Sequence, residues 1–259
     1  ARLCLCYICL VKNKPQKVYI YGRHSLLEAL RGAPHAVKNI FLEDAEAGKE
    51  IADLAEKHGI AVKPLGGQEA RTVGEDAVHQ GVIGVLNPDA LFVELEDFLN
   101  ELDLTANPAV VICAELQDPH NLGTIIRSVA ALGLSGVIIP ERKQVSVTAA
   151  VVKTSVGMVF QIPLVKVDNV EQTLHALKDK GFKIYGLDMA GEKLTDAKFN
   201  TPSAFVLGNE GAGLSEATLQ LCDSRLSIPM HERAESLNVA ASAAVVFYEW
   251  SRQNPLHLT

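Results

Sequence analysis

The chain has 259 residues, 48% hydrophobic and 21% charged, a balance that excludes disordered and fibrous proteins and allows one large domain or two modest ones. Its net charge of −7 excludes broad electrostatic adhesion to nucleic acid, which needs lysine and arginine to displace counterions. Any nucleic-acid contact must come from a local basic patch, and with 5% aromatic residues, stacking platforms are not the main means of holding bases.

Residues 1–17 carry Cys4, Cys6 and Cys9 in an apolar run over 3–11. That run is too short to cross a bilayer. Lys12, Lys14 and Lys17 follow it with no small-residue cleavage site, unlike a secretory signal. Zinc needs four ligands, and no second cysteine or histidine pair stands nearby, so no metal is expected and 1–17 is set aside as a leader or disordered segment. Five cysteines without a disulfide framework suit a reducing cytoplasm, with no membrane attachment.

From Val18 onward, helix-like and strand-like stretches alternate. Leu26, Leu27 and Leu30 predict a helix over 24–30, stopped by Gly32. A strand over 37–42, a helix over 48–58 ended by Gly59, a short strand over 60–62 and, after His79-Gln80-Gly81, a strand over 82–86 follow. Residues 18–88 thus form a small α/β unit, near the lower size limit for an independent core. Asn87-Pro88-Asp89 breaks the pattern, and residues 89–106, acidic over 94–103, are expected to be a linker with one short helix.

The second unit, 107–254, opens with an apolar strand over 109–114. A helix over 121–132, a strand over 136–139, a helical stretch over 147–156, a strand over 164–167 and a helix over 170–180 closed by Gly181 come next. Strands over 183–187, 204–207 and 225–228 precede a long helix over 236–252. Apolar strands alternating with helices predict an α/β unit with a mostly parallel sheet covered on both faces. No internal repeat is visible.

In open α/β sheets, ligands gather beyond the carboxyl ends of the strands, and three loops in such positions hold unusual residues. The first is Glu115-Leu116-Gln117-Asp118-Pro119-His120-Asn121-Leu122-Gly123-Thr124-Ile125-Ile126-Arg127. Asn121 suits a helix N-cap. Arg127 interrupts an apolar helix, and because buried arginines are rare unless paired, it either pairs with Asp118 or Glu115 or serves a site. The second is Gly208-Asn209-Glu210-Gly211-Ala212-Gly213-Leu214-Ser215, whose glycines let the backbone approach a ligand or simply turn tightly, with Ser215 capping the next helix. Its glycine order differs from the dinucleotide fingerprint, which counts against a nicotinamide enzyme. The third is Ile228-Pro229-Met230-His231-Glu232-Arg233-Ala234-Glu235-Ser236-Leu237-Asn238-Val239. Ser236 suits a cap for the last helix, and Asn238, in its first turn on a small apolar face, needs partners for its amide. His231-Glu232 lacks the second histidine of a zinc protease.

In this order the loops resemble the three signature motifs of the SpoU–TrmH family of RNA 2′-O-ribose methyltransferases, in the SPOUT superfamily, over 108–252. Tyr21-Gly22-Arg23-His24, Glu28-Ala29-Leu30 and His79-Gln80-Gly81-Val82 resemble the family's RNA-binding N-terminal domain, related to ribosomal proteins of the L30e/L7Ae type. The resemblance implies a trefoil-knotted SPOUT catalytic domain, which general chain-topology rules would exclude, with a small L30e/L7Ae-like α/β domain before it. It also implies a homodimer acting on structured RNA and using S-adenosylmethionine without metal. The cofactor would be held bent by backbone around Gly208, Ile228 and Leu237, with Met230, Asn209 and Gly211 beside it. Arg127 would be the catalytic residue, and Asn121, Glu210, Ser236 and Asn238 would complete the set. The extra N-terminal domain and acidic linker look more like the branch that methylates a guanosine of 23S rRNA than like the tRNA enzymes. One departure is the segment His231-Glu232-Arg233-Ala234-Glu235, where the family usually has a small, glycine-containing stretch.

A guanidinium stays protonated and makes a poor general base. Arg127 is therefore expected to gather the neighbouring phosphate and the 2′-oxygen and to stabilise the developing alkoxide. Lys12, Lys14, Lys17, Arg23, Arg142, Lys143 and Lys153 are available for a basic patch. A non-catalytic RNA-binding assembly factor on the same scaffold would have no need of the full Asn121, Arg127, Glu210, Ser236 and Asn238 set. A small-molecule α/β enzyme is favoured only by the acidic charge balance.

Overall fold

Apolar, β-branched runs build the front sheet from β1 (Val18–Tyr21), β2 (Val37–Leu42), β3 (Ala61–Pro64) and β4 (Val82–Leu86) in a computed structural model that describes residues 17–44, 46, 48–74 and 79–258. The N-terminal cysteines, with Lys12 and Lys14, lie outside the described residues. The strand order is β1-β4-β2-β3, with β4 antiparallel to both neighbours and β3 parallel to β2. Helices α1 (Arg23–Gly32) and α2 (Lys49–Lys57) bury Leu26, Leu30 and Ile51, whereas α3 (Gly67–Val73) buries nothing. That lack of a buried stripe is why α3 leaves no helical signature in the sequence. The four residues of β1 are likewise too few to set a period.

The second sheet takes its strands from the remaining chain: β5 (Phe92–Val93), β6 (Ala109–Cys113), β7 (Gly136–Pro140), β8 (Leu164–Val167), β9 (Lys183–Lys193), β10 (Ser203–Leu207) and β11 (Ser224–Ser227). Their order is β11-β9-β10-β6-β7-β8-β5, and every pairing is parallel. β6, β7 and β10 are buried at every residue, as a sheet covered on both faces requires. The intervening helices are α4 (Leu95–Glu101), α5 (Pro119–Ala131), α6 (Ala149–Thr154), α7 (Val170–Asp179), α8 (Glu216–Leu221) and α9 (Val239–Gln253). Among the described residues no helix is long and apolar enough to cross a membrane.

Residues 89–106, expected as a linker with one helix, carry that helix as α4 and do more. β5 pairs with β8 at the sheet edge, and Phe98 and Leu99 of α4 are buried against the strands. These two apolar residues tie an otherwise acidic segment to the core. One continuous core runs from Val18 in the front sheet to Trp250 in α9. The junction is reinforced where Gln161 Nε2 donates to Glu28 of α1 at 3.2 Å.

Two helix starts differ from the sequence expectation, for the same reason. α5 begins at Pro119, capped by Asp118, whose carboxylate accepts from His120 N at 2.8 Å; proline then needs no partner for a missing N–H. Asn121 is therefore inside the first turn and is not the cap. α9 begins at Val239, capped by Asn238 and not by Ser236. In both places another residue competent to cap takes the position, since Asp, Asn and Ser are about equally good caps. Gly123 lets α5 approach α6 closely: a β-carbon there would stand 2.8 Å from Thr154 Cβ and 2.9 Å from the Val151 carbonyl oxygen.

Candidate active site

The loop after β10 closes on itself through paired backbone hydrogen bonds between Asn209 and Gly213, at 3.0 and 2.9 Å. Asn209 Oδ1 accepts from Gly211 N and Ala212 N, both at 3.0 Å, and its amide donates to the Glu115 carbonyl at 2.9 Å. The turn thereby projects Glu210 across to the start of α5. There its carboxylate accepts from Gln117 N at 3.2 Å, from Asp118 N at 3.1 Å and from Asn121 Nδ2 at 3.1 Å. Gly208, Asn209 and Gly211 thus shape the turn that carries Glu210.

Asn121, 8% exposed, is held at both ends of its amide. Its nitrogen donates to Glu210, and its oxygen accepts from Asn238 Nδ2 at 2.9 Å. Asn238 Oδ1 in turn accepts from Ala240 N at 2.9 Å and Ala241 N at 3.3 Å at the start of α9. A single chain of polar groups therefore links the loop after β10, the first turn of α5 and the first turn of α9. Every amide has a partner at each end, so no buried polar group along it is stranded.

Burial pushes the Glu210 carboxyl upward, but the hydrogen bonds from Asp118, Asn121 and Gln117 outweigh it and hold the group below its ordinary value of 4.5. It is therefore ionised at neutral pH. Cys113 is buried at the end of β6, where burial, reinforced by the negative charge of Glu210, pushes its thiol up to about 12. A thiol so rarely ionised is no nucleophile.

Below the third loop is a cavity of about 410 Å³, within the range of small-molecule sites. Ile228, Met230, Ser236 and Leu237 line it. Gly208, Asn209 and Gly211 do not; Asn209 lines a separate recess of about 300 Å³ with Arg142 and Lys143. Met230 and Leu237 are 37% and 41% exposed, so the cavity presents apolar surface that an aromatic or aliphatic ligand would cover.

Arg127 is exposed and stands on the solvent stripe of α5 with His120, Thr124 and Ala131. Of the two alternatives, pairing with Asp118 or Glu115 does not occur: Asp118 caps α5, and Glu115 meets Lys143 at 3.5 Å. The seven-residue step from His120 returns Arg127 to the outer face, so an arginine set among isoleucines needs no buried partner. Among the described residues its guanidinium has no hydrogen bond or ion pair.

Sequence reasoning missed Gln117 and Asp118 as the backbone donors to Glu210, although Asp118-Pro119 is a legible helix start. It also missed Asp188, Met189 and Ser242 on the cavity wall. The described residues hold no group of three or more His, Cys, Asp or Glu side chains that could bind a metal ion.

The gap between a network legible in physical terms and a reaction is closed by comparison with known proteins. Residues 108–248 match the model of the SpoU rRNA Methylase family, and residues 19–91 match a model described as RNA 2′-O ribose methyltransferase substrate binding. The chain is 34% identical over 241 residues to the 23S rRNA (guanosine-2′-O-)-methyltransferase RlmB of Neisseria meningitidis, covering 92% of this chain and 96% of that protein. Its fold is similar to the AdoMet-bound rRNA methyltransferase of Sinorhizobium meliloti, with TM-score 0.79 at 23% identity, over 91% of this chain and 87% of that one. It is also similar to the SpoU methyltransferase AviRb of Streptomyces viridochromogenes in complex with AdoMet, with TM-score 0.78 at 26% identity, over 92% and 91%.

The state of Glu210 gives a pH prediction. A carboxyl held below its ordinary value contributes stability above 4.5, and that contribution disappears as the pH falls through the folded-state value. Urea unfolding from about pH 3 to about pH 7 should show wild type more stable than Glu210→Gln near neutrality, with the gap closing in acid. A gap independent of pH would contradict the hydrogen-bonded carboxylate.

Proposed function

The chain belongs to the SpoU rRNA methylase family, and from that premise we propose that it transfers the methyl group of S-adenosylmethionine to a ribose 2′-hydroxyl of large-subunit ribosomal RNA, at a guanosine. The observation that carries the reading is the polar chain Glu210–Asn121–Asn238, which draws the three motif loops together beside a cavity of suitable size. When bound, the cofactor supplies an electrophilic methyl group on sulfonium sulfur. Ile228, Met230 and Leu237 offer it apolar walls, and Ser236 a hydroxyl at the rim.

Glu210 is saturated by donors from α5, so its role is positioning. It fixes the first loop, and Asn121 passes that constraint to Asn238 and the start of α9. Arg127 has the opposite character. Its exposed guanidinium keeps its N–H donors for the RNA, where a fork of donors suits a phosphate together with the attacking 2′-oxygen. The 2′-hydroxyl oxygen would be the acceptor of the methyl group that the bound cofactor would supply, with the thioether as leaving group. Arg127 would stabilise the developing negative charge, and the proton would leave to solvent water. Alignment of oxygen and methyl supplies much of the remaining rate.

The front unit, residues 18–88, would hold the RNA, with half-buried Arg23 at the start of α1 and exposed Lys153 on α6 beside the α5 start; His120 Nδ1 and Thr154 Oγ1, 3.1 Å apart, join α5 and α6. A second copy of the chain is the occupant we assign to the outer face of α9. Ala241, Val245 and Tyr248 fall at helical spacing there, with Val245 41% and Tyr248 59% exposed.

Radiolabelled methyl transfer to unmodified 23S rRNA and to tRNA transcripts tests the activity, followed by mapping of the modified nucleotide. Label is expected in a guanosine ribose of the large-subunit RNA, and Arg127→Ala should lower kcat by about 10²-fold or more. Label in tRNA alone would overturn the ribosomal target, and no label in either would overturn the activity. Arg127→Lys should stay impaired at high pH; recovery there would make the residue a true base. Analytical ultracentrifugation should give a dimer for wild type and a monomer for Tyr248→Glu, whereas a monomeric wild type would contradict the α9 interface.

A further inference from the structure

Strand β9 departs from its neighbour beside the cavity. Arg225 and Leu226, adjacent on β11, pair with Gly186 and Glu192 of β9, so residues 187–191 swing out of the ladder without counterparts. The excursion is firmly built. Asp188 Oδ1 accepts from Ala190 N at 3.0 Å, which closes a short turn. Gly191 then returns so near the backbone of Arg225 and Leu226 that any β-carbon would collide with it. Bulges of this kind re-aim side chains next to active sites.

What the excursion aims is a carboxylate. Leu187, Asp188 and Met189 line the same cavity as Ile228 and Leu237. Asp188 is 23% exposed at its side chain, and its Oδ2 meets Arg225 Nη1 only at a long 3.4 Å. An ionised carboxylate has about four acceptor positions. Ala190 N and Arg225 fill two, so Asp188 retains acceptor capacity toward a ligand. It stands on β9, on the far side of β10 from the strand that leads into α5, so it suits holding a ligand and not the chemistry itself. Leu187, Ile228 and Leu237 offer flat apolar surface suited to a purine, and the neutral donor pair that accompanies a purine in a nucleoside is the ribose diol.

Resting on the methyltransferase reading above, we infer that Asp188 anchors the cofactor by accepting hydrogen bonds from the ribose hydroxyls of its adenosine part. Met189, 71% exposed, forms the outer lip of that pocket.

The test is calorimetric titration of wild type, Asp188→Ala and Arg225→Gln with S-adenosylmethionine, 5′-methylthioadenosine and its 2′,3′-dideoxy analogue, with circular dichroism to follow folding. Wild type should bind methylthioadenosine about tenfold more tightly than the dideoxy analogue. Asp188→Ala should weaken S-adenosylmethionine and methylthioadenosine alike by about that factor and leave the dideoxy analogue unchanged. Arg225→Gln, which removes the ion pair and keeps the carboxylate, should preserve the preference for the diol. Equal losses for all three ligands, a loss confined to S-adenosylmethionine, or no loss would overturn the inference. If Asp188→Ala fails to fold, Asp188→Asn, which keeps an oxygen for Ala190 N, is read by the same criterion: loss of the diol preference supports the inference and its retention overturns it. Failure of wild type to bind S-adenosylmethionine at all would instead overturn the activity, and this inference with it.

Discussion

Glu210 spans from a tight turn after β10 to the first turn of α5, and two backbone amides and the Asn121 side chain hold its carboxylate there. From Asn121 the contact continues to Asn238 and into the N-terminus of α9. The rest of the site depends on this chain, because its members come from parts of the sequence that share no local structure. Each member uses one group to reach the next and another to anchor its own element. Asn121 is the buried member, and its loss would unlink Glu210 from Asn238, which lie exposed at either end.

The fold and the site divide the work accordingly. A fully parallel sheet buried on both faces supplies rigidity, and the close approach of α5 and α6 at Gly123 fixes the helix that carries Asn121 and Arg127. The bound side chains, Glu210, Asn121 and Asn238, set positions. Arg127 is left without a partner among the described residues and faces outward. A saturated network beside an unsaturated cation is the arrangement expected where protein geometry is settled in advance and a polyanionic substrate brings the missing contacts.

Much of the fold was legible because burial imposes periods. The apolar runs of β6, β7 and β10 and the striped helices α5, α7 and α9 announce themselves, since each buries a full strand or a face. Elements without such a stripe, α3 and β5, do not. The site was legible as three unusual loops, but Asn238, read as an amide buried on a small apolar face, is exposed and caps α9. Which side chain it meets was not legible, because Asn121 and Asn238 meet across 117 residues of chain. Whether Arg127 would be paired was not legible for a related reason: its neighbours Ile125 and Ile126 are buried, but helical rotation turns it to solvent. The excursion of β9 has no period at all, and only the register with β11 exposes it.

Joined at 2.9 Å, Asn121 and Asn238 should act as one connected unit on the third loop, which lines the cavity. A double-mutant cycle measures this directly, with S-adenosylmethionine affinity determined for wild type, Asn121→Ala, Asn238→Ala and the double variant. If the chain is one unit, the double variant should bind scarcely worse than the poorer single variant, a coupling of about 1 kcal/mol or more. Losses that simply add would contradict it.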